Sequence, residues 1–275
     1  MLGSIIGDTI GSIYEFANIK TKDFELCQPG MIFTDDSILT FATAQWILMG
    51  GDIAKYYLRF SDKFPCPMGG YGSSFKVWLT TSLRTGNVQP PYNSCGNGSA
   101  MRVSPVGWAC DNEADVLSMA RQSAECTHNH PEGIKGAQAT SLAILLARHG
   151  STPNEIKTRI EQDFNYDLSL SVDEIRPRYS WDGLDGAING GTCQGSVPQA
   201  IICALEATSF EDAIRNAVSI GGDSDTIACI TGGIAEPLFG IPKSLAGWAC
   251  GKLPEQLSSI LKDFQSHYGS RIIAD

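Results

Sequence analysis

The chain has 275 residues, 43% hydrophobic and 18% charged, with 20 Lys and Arg against 30 Asp and Glu for a formal net charge of −10. That length buries a sizeable core without disulfides or metal, and the composition excludes intrinsic disorder. The acidic balance argues against a protein that grips nucleic acid or anionic membrane mainly by charge, and no apolar run reaches the ~18 residues of a membrane-spanning helix.

The first stretch, MLGSIIGDTIGS, lacks a basic lead and carries Asp8, so it reads as a poor signal peptide. Ile6, Ile10, Ile13 and Tyr14 share one face of a predicted first helix, and Ile38, Leu39, Ala42, Trp46 and Ile47 do the same in a second that stops at Gly50-Gly51. Pro- and Gly-rich loops follow at 64–72 and 87–98, too short to mark a domain boundary. Val116, Met119, Ala120 and Ser123 give the next helical stripe, and residues 134–148 a long helix ending at Gly150. Further helices are predicted over 197–207, 213–220 and 224–238, and over 255–267 with Leu257, Ile260, Leu261 and Phe264 inward. The best strand candidate is LSLSV at 168–172. With no repeated strand-and-helix unit, the expectation is an all-α fold in one domain over residues 1–275.

There are nine cysteines, an odd number with no C-x-x-C pair, and Cys203 and Cys229 lie in apolar runs. Free thiols in a reducing, cytoplasmic setting are expected, and the Cys/His clustering of a zinc site is absent.

Two acidic clusters carry the chemistry. Phe33-Thr34-Asp35-Asp36-Ser37 opens the second helix, and Gly221-Gly222-Asp223-Ser224-Asp225-Thr226 opens the helix at 224. Either alone serves as an N-cap with favourable dipole interaction. Capping needs only one carboxylate, however, and adjacent ones repel. Four carboxylates with threonine oxygens are hard ligands suited to Mg²⁺ or Mn²⁺. Spacing alone does not show that segments so far apart in the chain converge. Glu15 stands seven residues after Asp8, two turns along the same helical face, and alone reads equally as an exposed carboxylate. Ser94-Cys95-Gly96-Asn97-Gly98-Ser99-Ala100-Met101-Arg102 reads as a glycine-rich loop feeding a helix, a ready anion cradle but not a Walker A loop. Thr127-His128-Asn129-His130-Pro131 precedes the long helix and reads as a polar binding loop or a cap.

The strings GDTIGSIYE, FTDDS, GGYG, SCGNGSAMR, TH before a helix, SVPQAI and SIGGDSDTIACITGGIAEPLFG run in order from residue 3 to about residue 240. In this combination the chain resembles the ADP-ribosylglycohydrolase family over nearly its whole length, with 151–195 the poorest match. The resemblance implies a compact all-α domain with two Mg²⁺ or Mn²⁺ ions in a central cleft. It implies Thr34, Asp35 and Asp36 as metal ligands on one side, and Asp223, Asp225 and Thr226 on the other. Gly96, Asn97 and Gly98 would line diphosphate and ribose, with Ser94 and Met101 in the same substrate-binding loop, and His128 would sit near the distal ribose. Gly70, Tyr71, Gly72, Gly221 and Gly222 would shape the pocket. Glu15 and Asp36 would act as acid/base groups.

The implied activity is hydrolysis of the C1″ glycosidic bond of ADP-ribose, by a monomer acting on an ADP-ribosylated protein or peptide and releasing ADP-ribose. Glu15 in GSIYE, Ser94 and the SVPQAI string are most similar to the branch that removes serine-linked ADP-ribose and trims poly(ADP-ribose). Arginine-directed members tend to carry an acidic residue near the Ser94 position, where a carboxylate pairs a guanidinium. Ser37 departs slightly, standing where many members have Thr. The alternatives are an arginine-linked ADP-ribosyl hydrolase that regulates an enzyme or neutralises a toxin, and an ADP-ribose-binding protein without turnover. The complete acid set, Glu15 with four aspartates, speaks against the last.

Overall fold

The helix that begins at residue 2 lies wholly inside the molecule, its isoleucines and glycines interrupted by Ser4, Asp8 and Thr9. A computed structural model describes residues 1–184 and 187–275, and in it all ten residues of this helix, α1 (Leu2–Gly11), are buried. It packs antiparallel on α13 (Ser224–Phe239): Gly3 meets Gly232 and Glu236, Gly7 meets Ala228, and Gly11 meets Asp225. A Cβ on Gly7 would collide with the carbonyl oxygen of Ala228, so only glycine permits this backbone-to-backbone approach. The pairing puts Asp8 beside the first turn of α13.

The remaining helices surround this pair. They are α2 (Asp35–Met49), α3 (Ile53–Lys63), α4 (Ser73–Thr85), α5 (Gly98–Met101), α6 (Ser104–Ala109), α7 (Glu113–Glu125) and α8 (Pro131–Arg148). They continue with α9 (Pro153–Phe164), α10 (Val172–Ile175), α11 (Cys193–Leu205), α12 (Phe210–Ser219), α14 (Lys243–Cys250) and α15 (Glu255–Tyr268). One contiguous apolar core joins them, from Ile5, Ile6 and Ile10 through Leu142, Ile144 and Leu145 to Leu257 and Phe264. The stripes read from the sequence are helices as expected; α1 itself stops at Gly11, and Ser12–Tyr14 tighten into a 3-10 turn.

The all-α expectation holds. Strands among the described residues are four two-residue pieces: β1 (Tyr179–Ser180) runs parallel to β2 (Ile188–Asn189), and β3 (Ile241–Pro242) parallel to β4 (Ile272–Ile273). The strand expected at 168–172 does not form. Ser171 and Glu174 make a capping box, with the Ser171 N–H donating to Glu174 Oε2 at 2.8 Å, and Val172 starts α10. Leu168 and Val172 are buried against the core from a loop and a helix turn, which gives the same alternation a ladder would.

All nine cysteines are free thiols, four of them buried. Among the described residues no helix is long and apolar enough to cross a membrane.

Candidate active site

The two acidic clusters converge. The Thr34 hydroxyl caps α2 by accepting from the Asp36 N–H at 3.3 Å, which fixes Asp35 and Asp36 in the first helical turn. Thr226, in the first turn of α13, donates Oγ1 to Asp36 Oδ2 at 2.9 Å. Asp8 is fully buried and ties the groups together: it accepts from the Thr34 N–H at 3.0 Å, the Thr34 hydroxyl at 2.6 Å, the Ser37 N–H at 3.0 Å and the Ser37 hydroxyl.

Gly221 and Gly222, with φ of +70° and +67°, turn the chain into α13 and aim Asp223 and Asp225 inward. Asn18 clasps this turn to the segment carrying Glu15. Its Nδ2 donates to the carbonyl oxygens of Glu15 at 3.0 Å and Gly222 at 2.9 Å, and its Oδ1 accepts from the Gly222 N–H at 2.8 Å. Carboxylate oxygens of Glu15, Asp223 and Asp225 lie within 4.8 Å of one another. A Cβ on Gly69 would collide with Glu15 Oε2, so Glu15 rests on bare backbone there.

Six carboxyl groups thus crowd one place: Asp8, Glu15, Asp35, Asp36, Asp223 and Asp225. Burial pushes all six upward in pKa, and for the other five the next cause is the charge of Asp225. Asp8 rises to about 7 and Glu15 to about 8. Among the described residues no Lys or Arg forms an ion pair with any of them. Asp225 Oδ1 and Glu15 Oε2 are buried with no hydrogen-bond partner. Hard oxygen donors, no protein counter-charge and two orphaned oxygens fit a divalent cation.

A cavity of about 690 Å³ opens over the cluster. Glu15, Asp35, Asp36, Asp223, Asp225 and Thr226 line it, as do Gly70, Tyr71, Gly72, Ser94, Gly96, Asn97, Gly98, Met101 and His128. Thr34, Gly221 and Gly222 do not; they stand behind the lining, where the Thr34 hydroxyl is engaged by Asp8 and the glycines shape the turn. The glycine-rich loop reaches the acids through Asn97, whose Nδ2 donates to Asp223 Oδ2 at 2.5 Å and the Gly190 carbonyl at 3.0 Å. The helix this loop feeds, α5, is a single turn. The two histidines divide the two readings of their motif: His130 caps α8, accepting from the Glu132 N–H at 3.1 Å, while His128 is buried in the cavity wall.

A family profile described as ADP-ribosylglycohydrolase matches residues 1–264. The chain belongs to the ADP-ribosylglycohydrolase family. It is 29% identical to human ADP-ribosylhydrolase ARH3 over 315 residues, covering 90% of this chain and 86% of the relative. It is 23% identical to the ADP-ribosylarginine hydrolase Tri1 of Pseudomonas putida (strain GB-1), covering 90% and 71%. A solved chain titled ADP-ribosylglycohydrolase-related protein complex superposes with a TM-score of 0.68 at 22% identity, covering 97% of both.

This glycohydrolase fold recruits residues that sequence reasoning passed over. Asp8 appeared only as a spacing mark for Glu15, although a lone carboxylate inside the apolar run IIGDTIG was a signal. Asn18 gave no signal, because its partner Gly222 lies 204 residues away. Phe16, Tyr92 and Trp181 also line the cavity, and Phe16 and Trp181 face each other with ring centroids 6.4 Å apart.

Proposed function

We propose that the cavity binds an ADP-ribosyl group and that the protein hydrolyses its C1″ glycosidic bond, releasing ADP-ribose from O-linked, serine-type acceptors. The observation that carries this reading is the cavity in which five cation-seeking carboxyl groups, with Asp8 buried behind them, face the Asn97 loop and His128. Asp35, Asp36, Asp223, Asp225 and Thr226 would hold two Mg²⁺ ions, or Mn²⁺, with Thr34 and Asp8 bracing them from behind. Divalent ions there supply charge neutralisation and orientation of ribose hydroxyls and water.

The chain's own residues do the rest. Glu15 sits at the cluster's edge, where burial first and the Asp225 and Asp8 charges next push its carboxyl up to about 8 in the cation-free protein; cations would offset those charges, and burial keeps Glu15 apt to exchange a proton. It serves as acid/base toward the bond being cleaved, whose transition state is oxocarbenium-like. Asp36, fixed by Thr226, is the second carboxylate able to take a proton from attacking water. Gly96, Asn97 and Gly98, with Ser94 and Met101 beside them, form the floor for diphosphate and ribose, and His128 donates from the wall. Tyr71 closes one side, held by its hydroxyl donating to the Phe64 carbonyl at 2.8 Å.

Ser94 favours an O-linked acceptor. Its hydroxyl is turned inward to accept from the Gly96 N–H at 3.0 Å and places no carboxylate at that point for a guanidinium. The arginine-linked reading rests on the likeness to the Pseudomonas putida hydrolase.

The test is release of ADP-ribose from serine- and arginine-ADP-ribosylated peptides side by side, with Mg²⁺ and with EDTA. Mg²⁺-dependent release from the serine peptide alone is the expected result. Release from arginine alone overturns the acceptor, and release from neither overturns the hydrolase.

A further inference from the structure

Arg102 is 0% exposed and, among the described residues, forms no ion pair, an unusual place for a cation. Its guanidinium carbon lies 4.0 Å from the centroid of the Tyr57 ring. Its Nη2 donates to the Ser123 carbonyl at 2.9 Å and to Thr127 Oγ1 at 2.7 Å.

A guanidinium can only donate, so Thr127 Oγ1 is an acceptor in that bond. The hydroxyl still has its own proton to place. Among the described residues its other partner in good hydrogen-bond geometry is His128 Nδ1, at 2.8 Å, with the Tyr92 hydroxyl nearby. A buried hydroxyl proton without an acceptor is costly, so it goes to Nδ1. Nδ1 then accepts and carries no proton, and the imidazole proton resides on Nε2.

The surroundings keep the ring neutral. Burial first, and the Arg102 charge second, hold His128 well below the usual histidine range. The Tyr92 ring meets the imidazole edge-on at 5.9 Å and limits its tilt. On the other side Nε2 faces the bare backbone of the glycine-rich loop. Side chains at Gly98 or Gly96 would place a Cβ 3.1 Å or 3.7 Å from it. The loop's glycines therefore leave Nε2–H room to meet an oxygen in the cavity.

We propose that Arg102 and Thr127 are positioning residues that fix His128 as a neutral imidazole protonated on Nε2, a directed hydrogen-bond donor to an oxygen of the bound ligand. The identity of that ligand rests on the ADP-ribose reading above; the tautomer does not.

The test uses the full chain labelled with ¹⁵N-histidine. Long-range ¹H–¹⁵N spectra at pH 7 report which ring nitrogen is protonated, with His128 assigned from its absence in His128→Gln. The expected wild-type pattern is unprotonated Nδ1 and protonated Nε2. Thr127→Val should release the ring into a mixture of tautomers and weaken ADP-ribose binding by calorimetry on the order of tenfold, the loss of about one good hydrogen bond. Thr127→Ser should restore both.

Protonated Nδ1 or an imidazolium in the wild type overturns the proposal, and so does a valine variant with unchanged tautomer and affinity. The wild-type spectrum decides the tautomer even where valine at 127 prevents folding. A wild type with the stated tautomer that fails to bind ADP-ribose supports the relay and sinks the ligand reading alone.

Discussion

Thr226 Oγ1 donates to Asp36 Oδ2 at 2.9 Å, joining two acidic turns 190 residues apart in the sequence. Each turn begins a helix, and each helix packs on α1. The cluster is therefore a product of the core: the glycine face of α1 sets how near α13 can come, and Asp8 on the same helix grips the α2 turn. The site is a meeting of helix N-termini, where positive dipole ends face the acids and lessen their repulsion.

Asp225 is the group whose charge most disturbs the other five carboxyls after burial itself. Asp225→Asn is expected to weaken Mg²⁺ binding by about 100-fold or more and to abolish most turnover. Calorimetric titration with Mg²⁺ checks the first effect and ADP-ribose release the second. Wild-type Mg²⁺ affinity in this variant would remove Asp225 from the metal site.

Glu15 lies close enough to Asp223 and Asp225 to share a cation, and in the cation-free protein its carboxyl is raised enough to suit proton transfer instead. Glu15→Gln separates the roles. Turnover should fall by about 10²–10⁴, the usual worth of a general acid/base, while ADP-ribose still binds within a few-fold. Loss of Mg²⁺ affinity along with turnover would make Glu15 a ligand first. Full retention of rate would remove it from the chemistry.

The helices with strong apolar stripes were legible in the sequence, as were the acidic turns, the glycine loop and His128. The one strand expected, at 168–172, was a capping box with loop residues on either side, and only the partner strand it lacks could have told them apart. Helices α3 and α9 carry their own start signals in the Asp52 and Thr152 caps. Asp8 and Asn18 were hidden for another reason. Their partners come from distant segments, and no local spacing encodes a bond such as Asn18 to Gly222. The resemblance implies Thr34 as a ligand; its hydroxyl caps α2 and donates to Asp8 on α1, a partner that no local spacing encodes.

Metal-free protein should lose stability as pH rises. Asp8 and Glu15 have folded pKa values of about 7 and about 8, above the ~4 of an unfolded carboxyl, so the folded state holds the extra protons. Their stabilising contribution is complete below pH ~4 and disappears as pH climbs to about 8. In EDTA this cluster lowers the melting temperature between pH 5 and pH 8. Added Mg²⁺ should raise it more at pH 8 than at pH 5, because deprotonated carboxylates bind the cation. An equal Mg²⁺ effect at both values would contradict the shifts. Taking the difference with and without Mg²⁺ cancels the titration of groups elsewhere.

The approach of α1 to α13 is testable with one methyl group. A Cβ at position 7 would overlap the Ala228 carbonyl oxygen, and backbone inside a packed core has nowhere to move. Gly7→Ala should therefore cost on the order of 1–3 kcal/mol through overpacking, seen as a lower denaturant midpoint. It should also cut turnover, because Asp8 is the next residue and would carry any shift of α1 into the acid cluster. Gly247, inside α14, is the control, since nothing lies within 4 Å of a Cβ there. Gly247→Ala should stabilise by roughly 0.5–1 kcal/mol through reduced chain entropy and leave turnover unchanged. If both alanines behave alike, close backbone contact does not set the distance between Asp8 and the α13 carboxylates.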